Sequence, residues 1–118
     1  MSKPIAPSQH IALDYLLAPL ITAAPELLNF KEEKVATLLC RLVGGTILTA
    51  TSLTNAKGSM LPVVPLTLHL AGDVANGAFA LGAPFLFGFK NPRARATFLA
   101  LGAFSLLAGT LTRTTESA

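Results

Sequence analysis

Four long apolar stretches, parted by short knots of charged and turn-forming residues, set the pattern of the chain. They run from about 10 to 30, 35 to 54, 61 to 89 and 94 to 111. Between them lie Lys31-Glu32-Glu33-Lys34, Asn55-Ala56-Lys57-Gly58-Ser59 and Lys90-Asn91-Pro92-Arg93-Ala94-Arg95. Each stretch is long enough to cross about 30 Å of hydrocarbon as a helix, the form that satisfies every backbone polar group within one segment. Asn91 before Pro92 reads as a helix start, a capping side chain followed by a residue whose missing N–H is not needed there. The third stretch is too long for one straight span. Pro62 and Pro65 place an interfacial entry turn at 60–66, with a single long tilted helix as the alternative. The expectation is one all-α domain over 1–118, an integral membrane four-helix bundle.

The stretches also repeat. Shifting the chain by 59 residues lays His10 on His69, Ala12 on Ala71, Asp14 on Asp73, Ala24-Pro25 on Ala83-Pro84, Leu27 on Leu86 and Phe30-Lys31 on Phe89-Lys90. After a one-residue deletion, Ala36 falls on Ala94, Gly44 on Gly102, Leu48 on Leu106, Ala50 on Ala108 and Leu53-Thr54 on Leu111-Thr112. Chance matches of Leu and Ala are common in apolar sequence, but His, Asp, Pro and Phe-Lys in one register are not. The chain therefore reads as two tandem helix-hairpin repeats, about 10–55 and about 69–113. With two spans each, both begin on the same side, a parallel repeat about an axis along the membrane normal.

The pattern is an apolar helix that starts near an acidic residue, a small-Pro-aromatic tripeptide near its end, then Gly-Phe and a basic turn before a second helix rich in small residues. Ala83-Pro84-Phe85 followed by Leu86-Phe87-Gly88-Phe89 is the fuller copy and Ala24-Pro25-Glu26 the shorter. This arrangement resembles the SPW-repeat membrane proteins of bacteria, although neither copy has the serine or tryptophan that names the repeat. The resemblance covers nearly the whole chain. It implies a four-span protein of the bacterial cytoplasmic membrane and carries over no catalytic residues.

Composition points the same way. Of 118 residues 52% are hydrophobic and 13% charged, at a mean hydropathy of +0.59. A soluble domain carries roughly 25% charged residues, and a domain this small cannot bury so much apolar surface. Disorder, which needs the opposite composition, is excluded. Nine basic and six acidic side chains leave a net charge of +3, spread too thinly for a nucleic-acid footprint. Lys31, Lys34, Lys90, Arg93 and Arg95 flank the first and third turns, against Lys3, Lys57 and Arg113 on the other side. The positive-inside rule then places those turns in the cytoplasm and both termini outside. Cys40, the one cysteine, has no disulfide partner and reads as an inert thiol among leucines. Residues 1–9 lack the features of a removable signal peptide.

Against this background the ionisable residues inside the stretches are the candidates for chemistry, because burying them is costly. His10 and Asp14, and again His69 and Asp73, stand four apart and so share one helical face. If the repeats bring them to one depth, two histidines and two aspartates can hold a divalent metal or relay protons, and two histidines can ligate a haem. The alternative is local: each His bonds the Asp one turn away at the interface. Glu26 and Arg41 lie about 9 and 13 Å into the first hairpin, at about 1.5 Å per residue, and can meet as a structural ion pair. Their counterparts in the second unit are apolar. Gly72, Gly77, Ala78 and Gly82, then Gly102, Ser105 and Gly109, are small enough to let helices approach closely, within the bundle or with another molecule. Asn76 offers an interhelical hydrogen bond.

No protease, phosphate-loop or nucleophile motif is visible. The leading expectation is a non-enzymatic membrane subunit without a cofactor, packing in the lipid bilayer with itself or a larger complex. The second is a small transporter, channel or metal- or haem-binding protein built on the His/Asp pairs.

Overall fold

The structure, a computed structural model, describes residues 2–117. Among these residues it is all-α, with four helices: α1 (Pro7–Leu27), α2 (Lys34–Ser52), α3 (Leu66–Leu86) and α4 (Pro92–Leu111). At 19 to 21 residues each is about 30 Å long at 1.5 Å per residue. α1 packs along α2 and α3 along α4 as two antiparallel hairpins, and the hairpins meet chiefly where α1 lies beside α4.

Local chemistry sets the boundaries. α1 begins at Pro7, three residues before the apolar stretch, because proline suits the first helical turn. Gln9 Oε1 accepts from the Ala6 N–H at 2.8 Å. α3 begins at Leu66, directly after Pro65, so the entry turn expected at 60–66 ends one residue earlier. Asn91 caps α4 as its sequence suggests, its side chain accepting from the Arg93 N–H at 2.8 Å. α1 and α3 end alike: Phe30 N–H reaches Pro25 O at 3.0 Å and Phe89 N–H reaches Pro84 O at 2.9 Å. Each terminus needs a left-handed residue just before the aromatic ring, supplied by Asn29 (φ 56°) and Gly88 (φ 63°). Phe30 and Phe89 then turn inward and are buried.

Glycines and small residues set how closely the helices approach. A Cβ on Gly102 would lie 2.8 Å from Gly77 O, and one on Gly77 would lie 2.9 Å from Gly102 O, so α3 and α4 cross backbone to backbone at that point. Gly44 does the same against Ala18 and Thr22 between α1 and α2, and Gly109 against Leu70 O. Ser105 accepts from Asn76 Nδ2 at 3.3 Å across α3 and α4. Gly72 and Gly82 face open space and Ala78 is exposed, so these three play no part in packing inside the chain. They lie on the face of α3 turned away from α4.

The core includes three pairs that correspond at the 59-residue spacing, Ile21 with Ala80, Ala24 with Ala83 and Phe30 with Phe89, together with Ala18 from the first hairpin and Phe98 from the second. Cys40 is fully buried there, inside the helix packing. By length and composition two helices, α2 and α4, are long and apolar enough to cross a membrane, each with a mean hydropathy of 1.4. This is fewer than the four expected. α1 and α3 fall short because they carry the histidines and aspartates.

The hairpins are tied at both ends. At one end, the Glu33 carboxylate accepts from the Lys90 N–H and, at 2.6 Å, from the Asn91 N–H. Asn91 Nδ2 donates to Glu32 at 2.5 Å, which holds the Glu32 carboxyl below the usual carboxylate range. At the other end, Ile5 pairs with Thr112 and Thr54 with Val64 as isolated bridges.

Candidate functional site

One helical turn in from that second end, the two hairpins put their polar groups together. His10 and Asp14 come from α1 and His69 and Asp73 from α3, and one donor atom from each lies within 4.8 Å of the others. The i,i+4 spacing aims each pair off one helical face, and the packing of the hairpins turns both faces toward one point. His69 Nε2 stands 3.0 Å from Asp14 Oδ2 and 3.4 Å from Asp73 Oδ2. His10 Nε2 stands 2.8 Å from Asp73 Oδ2 and 3.1 Å from Asp14 Oδ2. The closer contact of each histidine is thus to the aspartate of the other hairpin. His10, Asp14 and His69 are buried, and Asp73 is partly open.

The far side of each imidazole is also held across the hairpins. His10 Nδ1 lies 2.8 Å from Thr112 Oγ1, and His69 Nδ1 lies 2.6 Å from Thr54 Oγ1. Each threonine hydroxyl reaches back one turn to a backbone carbonyl, Thr112 to Ala108 at 2.6 Å and Thr54 to Ala50 at 2.5 Å. A hydroxyl has one proton to give. With that proton on the carbonyl, as is usual for threonine in a helix, the oxygen accepts from Nδ1–H, and we assign the protons so. Both Nε2 atoms then point at the carboxylates.

The two halves are not identical. Thr51 donates to Asp14 Oδ2 at 3.1 Å, while the corresponding position in α4 is Gly109, which lies close against Asp73. Among the described residues, His10 Nε2 and Asp73 Oδ2 are buried without a hydrogen-bond partner. With the proton on Nδ1 both atoms are acceptors, so their 2.8 Å approach is not a hydrogen bond. A cavity of about 250 Å³ between α2 and α3, lined by Val43, Ile47, Leu68, Gly72 and Asn76, ends on His69 and Asp73.

Haem does not fit this arrangement. The two imidazoles meet edge to face with centroids 5.1 Å apart, and the carboxylates occupy the space a macrocycle would need.

Glu26 and Arg41 meet away from this centre. Arg41 Nη1 donates to Glu26 Oε1 at 2.8 Å, its Nη2 donates to the other carboxylate oxygen, and Nη1 also reaches the Thr22 carbonyl. The pair ties α1 to α2 at the half of the molecule remote from the histidines.

Sequence reasoning did not single out Thr51, Thr54 or Thr112 as part of the centre. The match of Leu53-Thr54 to Leu111-Thr112 was the available signal. Comparison with known protein families, with curated proteins and with solved structures found no match.

Proposed function

We propose that this is a small non-enzymatic membrane protein, with all four helices embedded in the bilayer, that acts as an accessory or structural subunit by packing its outer faces against lipid and neighbouring helices. The observation that carries this reading is an inverted distribution of polarity. Histidine, aspartate and threonine are sequestered at the centre, while Leu16 (66% exposed), Leu68 (62%), Phe85 (77%) and Leu107 (56%) stand outside, on α1, α3 and α4, with Leu38 and Leu42 doing so on α2. Water penalises such a surface by about 25 cal/mol for each Å² of apolar area, and hydrocarbon does not. His10, Asp14 and His69, which lower the hydropathy of α1 and α3, are buried, so the outer faces of these helices are more apolar than their averages. The small outward residues Gly72, Ala78 and Gly82 suit close contact with another helix, from a second copy or a larger complex. The resemblance to SPW-repeat proteins is consistent with a bacterial cytoplasmic membrane, and the five basic residues beside the first and third turns favour a cytoplasmic position for them.

Cell fractionation tests this directly. We expect the protein in the membrane pellet, resistant to alkaline carbonate and released by detergent, with partner subunits or further copies in the mild-detergent eluate. Recovery in the soluble fraction would overturn the reading.

A further inference from the structure

We propose that His10, Asp14, His69 and Asp73 form a binding site for one divalent transition-metal ion of the zinc class. Four of the six donor separations, the N–O ones of 2.8, 3.0, 3.1 and 3.4 Å, lie near the spacing of about 3.3 Å between ligands of a tetrahedral ion with bonds of 2.0–2.1 Å, and all four donor atoms lie within 4.8 Å of one another, so a small contraction of the wider pairs closes a four-coordinate shell. Two imidazoles and two carboxylates are a donor set of intermediate softness, suited to zinc and its neighbours rather than to calcium, which takes six to eight oxygens, or magnesium, which keeps several waters.

The threonines supply a second line of argument. With Nδ1–H donated to Thr112 or Thr54, a neutral imidazole presents its Nε2 lone pair to the centre, the orientation that metal-ligating histidines hold through an outer hydrogen bond. Two lone pairs facing two carboxylates cannot stay without positive charge between them. Either a divalent cation or two protons must neutralise the cluster, since uncompensated buried charge is severely penalised. His10 Nε2, on a side chain 1% exposed, stands 2.8 Å from Asp73 and 3.1 Å from Asp14 with a hydrogen bond to neither, a placement between two carboxylate oxygens that a bound cation would satisfy. The cavity between α2 and α3 gives a path to the centre by way of Asp73.

The site rests on side-chain geometry and not on the membrane reading, so it is tested on detergent-purified full-length protein. After chelator treatment and removal of the chelator, the protein is titrated with Co²⁺ and then Zn²⁺. We expect one equivalent of Co²⁺, with the intense visible bands of a tetrahedral centre, displaced by one equivalent of Zn²⁺. Asp73→Asn and His10→Gln should each lower affinity at least 100-fold. Thr112→Val keeps all four ligands and should weaken binding about 10- to 100-fold, while Arg41→Gln, remote from the centre, should bind as the parent does. Helicity by circular dichroism and a monodisperse elution confirm that each variant is folded. If Asp73→Asn and His10→Gln fail that check, the parent titration and Thr112→Val decide. Folded parent protein that takes up no Co²⁺ or Zn²⁺ above the buffer background, or Asp73→Asn and His10→Gln variants that bind like the parent, overturns the proposal, and the cluster is then a pair of imidazolium–carboxylate contacts.

Discussion

Arg41 shows how a charged side chain is accommodated in the first hairpin. Its guanidinium satisfies both oxygens of Glu26 and still reaches the Thr22 carbonyl, a two-pronged geometry that a lysine cannot reproduce. In the second hairpin the corresponding positions are Phe85 and Leu99 or Ala100, so a hairpin of this design stands without the pair. Removing one partner should therefore harm more than removing both, because a lone charge loses its compensation. We expect Arg41→Ala and Glu26→Ala each to lower the denaturation midpoint in detergent, and the double variant to melt above either single variant. Strict additivity would show that the groups do not interact. The pairing is legible in the sequence, since acid and base vanish together from the second unit. The threonine contacts of the histidines are less so, because a threonine near a helix end has many local uses and only packing selects the imidazole.

The α3–α4 hairpin depends on two facing glycines. A side chain at either Gly77 or Gly102 would meet the carbonyl oxygen of the other, and one at Gly77 the Leu106 backbone nitrogen as well, groups that cannot move aside without separating the helices. Gly82 has no such neighbour. We expect Gly102→Val to cost about 1–3 kcal/mol, the usual range for overpacking, and Gly82→Val to leave the stability of the isolated protein nearly unchanged, as read by unfolding in mixed detergent. Equal effects would mean that helix propensity rather than close approach is being measured. Small residues were visible in the sequence on both faces of α3, but their spacing does not say which face meets α4. That depends on how α3 is rotated about its axis, which the inward pull of His69 and Asp73 helps to set. The helices themselves were readable, with the prolines at 62 and 65 marking the late start of α3. Hydropathy is a blunter guide to α1 and α3: a window average counts inward polar groups and outward apolar ones alike, although only the outer face meets the surroundings.

At the scale of the whole molecule, the chain is close to a ring. The segment before α1 runs beside the one after α4: Ile5 N–H donates to Leu111 O at 3.2 Å, Arg113 N–H to Ile5 O at 2.8 Å, and Ser8 bonds Glu116 through both backbone and hydroxyl. The linker between the hairpins makes the matching bridge through Thr54 and Val64. We expect a circular permutant, opened between Lys57 and Gly58 and joined by a short glycine-serine linker, to fold with the parent's helicity and elution volume. Loss of the fold would show that the covalent link between α2 and α3 matters beyond the contacts it makes. The 59-residue spacing announced two similar units, yet no linear comparison reveals that each histidine is held by the threonine of the other.

That crossing has a consequence for the order of events on the ribosome. His10 and Thr112 are 102 positions apart, so both hairpins must be synthesised before the imidazole of the first meets its hydroxyl. Until then the nascent first hairpin carries His10 without its threonine and Asp14 with only Thr51, and Thr54 waits for a histidine that arrives with α3. A chain stalled between α3 and α4 could complete the Thr54–His69 pair but not the His10–Thr112 one, which makes the finished centre a record that both hairpins have been made and joined.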